Sequence, residues 1–235
     1  MPDNYQNKTY LKKKTSLKFY EIELINLIKK YYQPDVKKNF LDVGCANGNL
    51  ILNLRKFYQG LNFTGIDVHS TSILLAKKKL KFSKNAFFYQ KNILKFNPKK
   101  KFDIIVAAGL ISFFEKFEIP CKQLFRLLKK EAKSKIFIFG RFNSSNIDTQ
   151  IKFRNNDHDN QWRSGFNSYS IKTVSNFFKK NDFKVYSKKF NLPINLKKKG
   201  DLTRTYTEIT KNNKKIILNR ANIISEFYYL VAERK

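Results

Sequence analysis

Two cysteines and two histidines in 235 residues leave little from which to build a disulfide framework or a metal centre. Cys45 and Cys121 form no C-x-x-C pair, and His69 and His158 lie far apart, so no structural metal is expected. No apolar run approaches the ~20 residues that a membrane-spanning helix needs. The opening Met1-Pro2-Asp3-Asn4 starts a polar stretch without the apolar centre of a secretory signal, and a cytoplasmic location is the expectation. Internal repeats and flexible linkers are also missing, and a hydrophobic content of 42% suits a folded core in one compact domain.

Acids are the other scarcity. Eighteen Asp and Glu stand against 48 Lys and Arg, a formal net charge of +30. A chain so basic can bind phosphates by releasing their counterions, which brings RNA to mind as a partner. Against that, the lysines are dispersed in short runs, Lys12–Lys14, Lys77–Lys79, Lys99–Lys101 and Lys197–Lys199, of the kind that forms solvated faces and loop tips. Abundant Asn, Ile, Phe and Tyr point to A/T-rich coding, which trades Arg for Lys but does not by itself deplete Glu. A nucleic-acid partner is therefore the alternative and not the expectation.

What is present is concentrated between Phe40 and Leu50. The apolar run Phe40-Leu41 ends in Asp42, and the turn Val43-Gly44-Cys45-Ala46-Asn47-Gly48 follows at once. After it, Leu50, Ile51, Leu52 and Leu54 recur at helical spacing. The order reads as buried strand, tight turn and helix N-terminus, the nucleotide-binding corner of a doubly wound sheet. Neither the G-x-G-x-x-G of dinucleotide folds nor the Gly-Lys-Ser/Thr of phosphate loops is there. An acid just before the turn repels a phosphate, but it accepts a hydrogen bond from an ammonium group.

Asp42-Val43-Gly44-Cys45-Ala46-Asn47-Gly48 resembles motif I of the class I S-adenosylmethionine-dependent methyltransferases, (E/D)-x-G-x-G-x-G, with Ala46 in the middle glycine slot. The resemblance extends along the chain. Phe63-Thr64-Gly65-Ile66-Asp67 is a second apolar run ending in an acid, about 20 residues past the glycines, where nucleoside-binding folds hold the ribose hydroxyls. Asp67 is the matching acid, with Val68 after it; helix capping from Asp67, Ser70 or Thr71 is the plain structural role available there. A third strand runs from Ala86 to Ile93. It ends in Asn92, where the family usually has an Asp for the adenine amine, and in Ile93, an apolar face for the purine. Phe102 to Leu110 is similar to motif IV, with Ala107 beside the methyl donor, and Lys135 to Gly140 reads as the fifth strand.

The resemblance implies a mostly parallel, seven-stranded doubly wound sheet with helices on both faces and the last strand antiparallel. Residues 1–38 are expected to form an N-terminal helical cap, with a helix from Leu17 to Tyr32 whose apolar side is Ile22, Leu24, Ile25, Leu27 and Ile28. Residues 39–140 are the donor-binding core. Residues 141–235 complete the sheet and select the acceptor, through a helix from Ser170 to Lys180 with a Ser cap. Strands at Phe183–Ser187 and Phe227–Ala232 follow, with a small hairpin, Arg204–Thr210 and Lys215–Leu218, before the last of them. The implied cofactor is S-adenosylmethionine, held by Asp42, Gly44, Cys45, Ala46, Gly48, Asp67, Val68, Asn92, Ile93 and Ala107.

Acceptor chemistry is less legible. Pro120-Cys121 has the dipeptide of cytosine-5 enzymes but lies well beyond Gly109, at a helix start where Pro is at home. The (Asp/Asn/Ser)-Pro-Pro-aromatic motif of amino-methylating nucleic-acid enzymes is replaced by Ala107-Ala108-Gly109-Leu110. Transfer to oxygen or nitrogen of a small-molecule or glycosyl acceptor is thus expected, with RNA or protein methylation, or nucleoside binding without catalysis, as alternatives. The loop from Ile147 to Tyr169 offers Asp148, Asp157, His158 and Asp159 as bases. His158 leads because an imidazole titrates near neutrality, although an exposed loop residue is its plain reading. Trp162 and Phe166 in that loop can stack on an acceptor or pin the loop.

Overall fold

The computed structural model describes residues 17–32, 38–156, 160–199 and 204–235. In chain order the elements begin with α1 (Phe19–Tyr31), β1 (Asn39–Val43), α2 (Asn49–Leu54), β2 (Asn62–Asp67), α3 (Ser70–Lys79), β3 (Ala86–Gln90) and β4 (Ile104–Ala108). They continue with α4 (Glu118–Leu127), β5 (Lys135–Asn143), β6 (Lys152–Phe153), β7 (Arg163–Ser164), β8 (Tyr169–Ser170) and α5 (Ile171–Lys179). The last are β9 (Phe183–Lys189), β10 (Tyr206–Ile209), β11 (Lys215–Leu218) and β12 (Phe227–Arg234).

The main sheet has the order β3-β2-β1-β4-β5-β12-β9, with β8 paired to the far end of β5. β1 to β5 are parallel, while β12 runs antiparallel to both β5 and β9. The doubly wound sheet, its antiparallel last strand and the hairpin before that strand are therefore all present. Central parallel strands are covered on both faces, which is why β4 reads Ile104-Ile105-Val106-Ala107 without alternation. One face sets Phe40, Phe63, Val106 and Phe137 with the apolar sides of α1, α2 and α3. The other sets Leu41, Ile66, Ile105 and Ile138 with those of α4 and α5.

Local differences from the sequence reading have physical causes. In α1, Leu24, Ile25, Leu27 and Ile28 are buried as expected, but Ile22 is exposed and Glu21 is buried instead. Glu21, Leu24, Ile25 and Ile28 follow the i, i+3, i+4, i+7 spacing of one helical face, and Ile22 falls off it. Ser170 stands at the N-cap of α5 but makes no side-chain cap. Its hydroxyl is buried without a hydrogen-bond partner among the described residues, and its backbone N–H donates to Asp148 Oδ1 at 2.7 Å. The loop after β5 contains a short ladder, β6 against β7, that no alternation in the sequence announced. Pro120 sits in the first turn of α4, where its missing N–H has no intrahelical partner to lose. Cys121 beneath it is fully buried, and burial pushes its thiol up, so it serves as core.

Asp103 ties the amino ends of two central strands together. Its buried carboxylate accepts the Asn39 N–H at 2.8 Å and pairs with Lys129 at 2.9 Å and Lys38 at 3.7 Å. Asp103→Ala should cost about 1–3 kcal/mol, because a charged acceptor is lost and the part-buried Asn39 N–H is left without it. Urea unfolding reads this as a lower midpoint at unchanged slope; an unmoved midpoint would show the cluster to be decorative.

Candidate donor-binding site

Parallel pairing of β1 with β2 builds the site. Asp42 lies opposite Gly65 and Val43 opposite Ile66, so Asp67 extends one residue past the end of β1. The turn after β1 is fastened to β2 from the first step: the N–H groups of Gly44 and Cys45 both donate to the Ile66 carbonyl, at 2.8 and 3.0 Å. Asp67 completes the fastening. Its Oδ2 accepts the Ala46 N–H and its Oδ1 the His69 N–H, both at 2.9 Å. One carboxylate thus clamps the glycine turn to the start of α3. Each of its oxygens keeps a second lone pair, enough for a pair of vicinal hydroxyls.

Gly44 has φ +76, and a Cβ built on it meets no atom of the described residues within 4 Å. The turn therefore needs glycine for its backbone there, and it leaves open space on that side. Gly109, at the end of neighbouring β4, has the same open surroundings. Gly65 is the opposite case: an added Cβ would lie 2.6 Å from the Phe88 ring and 2.9 Å from Cys45 Sγ.

Asp42 is 3% exposed, and no hydrogen-bond donor among the described residues reaches its carboxylate. Burial, then the charges of Glu21 and Asp67, push its pKa up to about 8. Glu21, the buried acid of α1, was not found by sequence reasoning. Its Oε2 accepts the Lys18 N–H at 2.7 Å, but with Lys and not Ser or Thr at the N-cap the sequence carries no capping signature that would have pointed to it. Lys79 on α3 faces this acid too. Its ammonium is buried without a hydrogen-bond partner among the described residues, and its pKa is lowered by burial, with the Glu21 charge acting against that. Three acids around one turn make a site that favours a cation.

The other candidate residues fall around this centre. Cys45 is buried against Gly65, and burial pushes its thiol up, so it shapes the turn rather than reacts. The N–H of Gly48 closes the turn on the Cys45 carbonyl at 2.9 Å. The Val68 carbonyl accepts the Gln90 side-chain amide at 3.1 Å. β3 stops at Gln90, and Asn92 caps the short helical turn that follows by accepting the Leu94 N–H at 3.0 Å. Ile93 and Ala107 are buried in one cluster with Val43 and Ile66. Ala107 pairs with Val43 and Ile138 inside the sheet, so Ala108 and Gly109 form the strand end.

The acceptor-side candidates are less concentrated. His158, Asp157 and Asp159 lie outside the described residues. Trp162 is 64% exposed, with the Arg154 guanidinium 5.2 Å from its ring. Phe166 packs on Phe153 and on the Arg141 guanidinium. A depression of about 480 Å³ opens by Glu115, Glu118, Lys122, Asp148 and Tyr169 at the start of α4; none of the donor-site candidates lines it.

A family model described as a methyltransferase domain matches residues 34–222. The chain belongs to this methyltransferase family. Methyltransferases of this family take their methyl group from S-adenosylmethionine. Among curated relatives, malonyl-[acyl-carrier protein] O-methyltransferase 1 of Ilyobacter polytropus is 25% identical over 122 residues, 49% of this chain and 46% of that protein. Pavine N-methyltransferase of Thalictrum flavum subsp. glaucum is 28% identical over 113 residues, 47% of this chain and 32% of that protein. The chain thus spans half or less of the length of these relatives. Among solved structures, the YcgJ protein of Bacillus subtilis superposes with a TM-score of 0.63 at 14% identity, covering 91% of this chain and 99% of that one. No helix of the described residues is long and apolar enough to cross a membrane.

Proposed function

We propose that this methyltransferase transfers the methyl group of S-adenosylmethionine to an oxygen or nitrogen of a small-molecule or glycosyl acceptor. One observation carries the reading: strand register sets Asp42 and Asp67 around a turn that leaves open space at Gly44. The donor's groups fit these residues. Asp42 and the nearby Glu21 suit an ammonium group, the two free lone pairs of Asp67 suit ribose hydroxyls, and Ile93 with the free lone pair of Asn92 suits an aminopurine. Bound there, S-adenosylmethionine supplies an electrophilic methyl on a sulfonium that is already a good leaving group.

What remains for the protein is alignment, which can supply much of the rate of such a transfer. The acceptor has to approach beyond the carboxyl ends of the strands. We assign that side to residues 141–223, through the loop that contains Phe166 and Trp162 and the insertion that carries the β10–β11 hairpin. His158 is the residue assigned to take a proton from an alcohol acceptor, since imidazole is a base at neutral pH. The relatives named above act on oxygen in one case and nitrogen in the other, which keeps both acceptor atoms within the reading.

Calorimetric titration with S-adenosylhomocysteine, followed by transfer of a labelled methyl to a panel of hydroxyl and amine acceptors, tests this. Asp67→Ala should lose about 1–3 kcal/mol of ligand affinity, from its hydrogen bonds to the ribose and from release of the Ala46 N–H. Full affinity in a folded Asp67→Ala protein would remove the ribose assignment. Donor binding without transfer to any acceptor would favour a nucleoside-binding relative that has no catalysis.

A further inference from the structure

The charge of this chain is not evenly spread, and its longest acid-free run lies at one edge of the sheet. Residues 68–102 contain ten lysines and no Asp or Glu, the longest acid-free stretch in the sequence. These residues form α3, the edge strand β3, the short turn after it and the loop into β4. All of the ten lysines except Lys79 are exposed. The flanking acids do not offset them at the surface: Asp67 is buried under backbone N–H groups, and Asp103 is buried and paired with Lys129.

Apolar rings are exposed among these lysines. Phe82, after α3, is 88% exposed with the Lys81 ammonium 4.5 Å from its ring centre. On β3, Phe87 and Tyr89 are 48% and 45% exposed, while Phe88 between them is buried against α3 and Gly65. Side chains two apart on a strand share a face and stand about 7 Å apart. Two rings are thus presented along the edge, with Lys81 and Lys84 before them and Lys91 and Lys95 after them in the chain.

We propose that the β3 edge of this protein is a docking surface for single-stranded nucleic acid. Lysines at either end meet phosphates and release their counterions, and the rings between them stack on bases, a combination that tolerates any sequence. An extended single strand exposes its bases to such a row, whereas a duplex keeps them stacked inside. A second copy pairing through this edge would set two acid-free lysine surfaces against each other, which disfavours it. The edge lies beside β2, whose carboxyl end carries Asp67, so a strand docked along β3 runs toward the donor site. The proposal does not depend on which acceptor is methylated.

Anisotropy of a labelled twelve-nucleotide oligouridylate, titrated with the full chain at about 50 to 300 mM KCl, tests it. Affinity should fall steeply with salt. Replacing Lys81, Lys84, Lys91 and Lys95 together by Gln should weaken binding at least tenfold at low salt and flatten the log–log slope by about 2–3, near 0.7 per lost phosphate contact. Phe87→Ala with Tyr89→Ala should weaken binding about tenfold or more at unchanged slope, because stacking releases no ions. Replacing the exposed Lys197, Lys198 and Lys199 by Gln should change affinity less than twofold. Equal weakening by that second lysine set would overturn the proposal, since attraction would then be diffuse. So would a duplex of the same length binding as tightly as the single strand. Phosphatidylserine vesicles bound through Lys81, Lys84, Lys91 and Lys95, with no binding of the oligonucleotide, would assign the edge to a membrane surface and overturn it as well.

Discussion

Asp42→Asn should remove most donor binding while making the ligand-free protein more stable. The buried carboxyl ionises near 8 in the folded protein, against an ordinary value of 3.8, because it is desolvated and faces Glu21 and Asp67. Between those two values the folded state holds a proton that the unfolded chain has released. Stability therefore falls as pH rises through that window, by up to about 1.4 kcal/mol per unit. Asparagine keeps the shape without the charge and takes that slope away. Thermal unfolding at pH 5 and pH 8.5 should show the variant gaining several kcal/mol on the wild type at the higher pH and little at the lower.

The ligand side runs the other way. A charge-assisted hydrogen bond to an ammonium is worth about 1.5–3 kcal/mol, so the variant should bind S-adenosylhomocysteine on the order of 10- to 100-fold more weakly at pH 8. In the wild type below pH 8, an ammonium bound at Asp42 must displace its proton. Affinity should then fall about tenfold for each unit of acidification. The calorimetric heat should depend on the ionisation enthalpy of the buffer in the wild type and not in Asp42→Asn. If the two proteins show the same buffer dependence, the proton comes from elsewhere and the ammonium assignment fails.

Gly65→Ala should be costly for a different reason. Its Cβ would enter a space filled by Phe88 and Cys45, both of them buried, and packing so close forces a backbone or ring shift of about 1–3 kcal/mol. Cys45 belongs to the donor turn, so the shift should appear twice, as a lower urea midpoint and as weaker binding of S-adenosylhomocysteine. Phe88→Leu removes ring atoms from the contact. The double variant should therefore be more stable than the sum of the single changes, by roughly 0.5–3 kcal/mol of coupling. Strict additivity would mean that Gly65 is not held to glycine by this contact.

The turn at Gly44 to Gly48, the strands on either side and the two acids at strand ends were legible in the sequence because each is a local pattern. An apolar run ending in an acid and a glycine at a left-handed position are properties of a few consecutive residues. Much of the sheet order followed from counting such runs and from the resemblance they carry, as the antiparallel β12 and the hairpin before it show. The acid-free stretch from 68 to 102 was legible in the same way, though its lysines were read there as scattered runs.

Other features depend on how elements meet. Glu21 became a neighbour of Asp42 only when α1 docked on the sheet, and the rotation of that helix buried the acid while leaving Ile22 in solvent. Asp67 was read for its ligand, and pairing of β1 with β2 gave it a second task, holding the Ala46 N–H. Asp148 was read as a candidate base, but packing of the loop spends it on the Ser170 N–H. Composition showed an excess of lysine; the position of β3 at the edge of the sheet set exposed rings between lysines that flank it in the chain. Local pattern determined which residues can turn, pair or bind, while register and docking, which join residues far apart in the chain, decided which charges face one another.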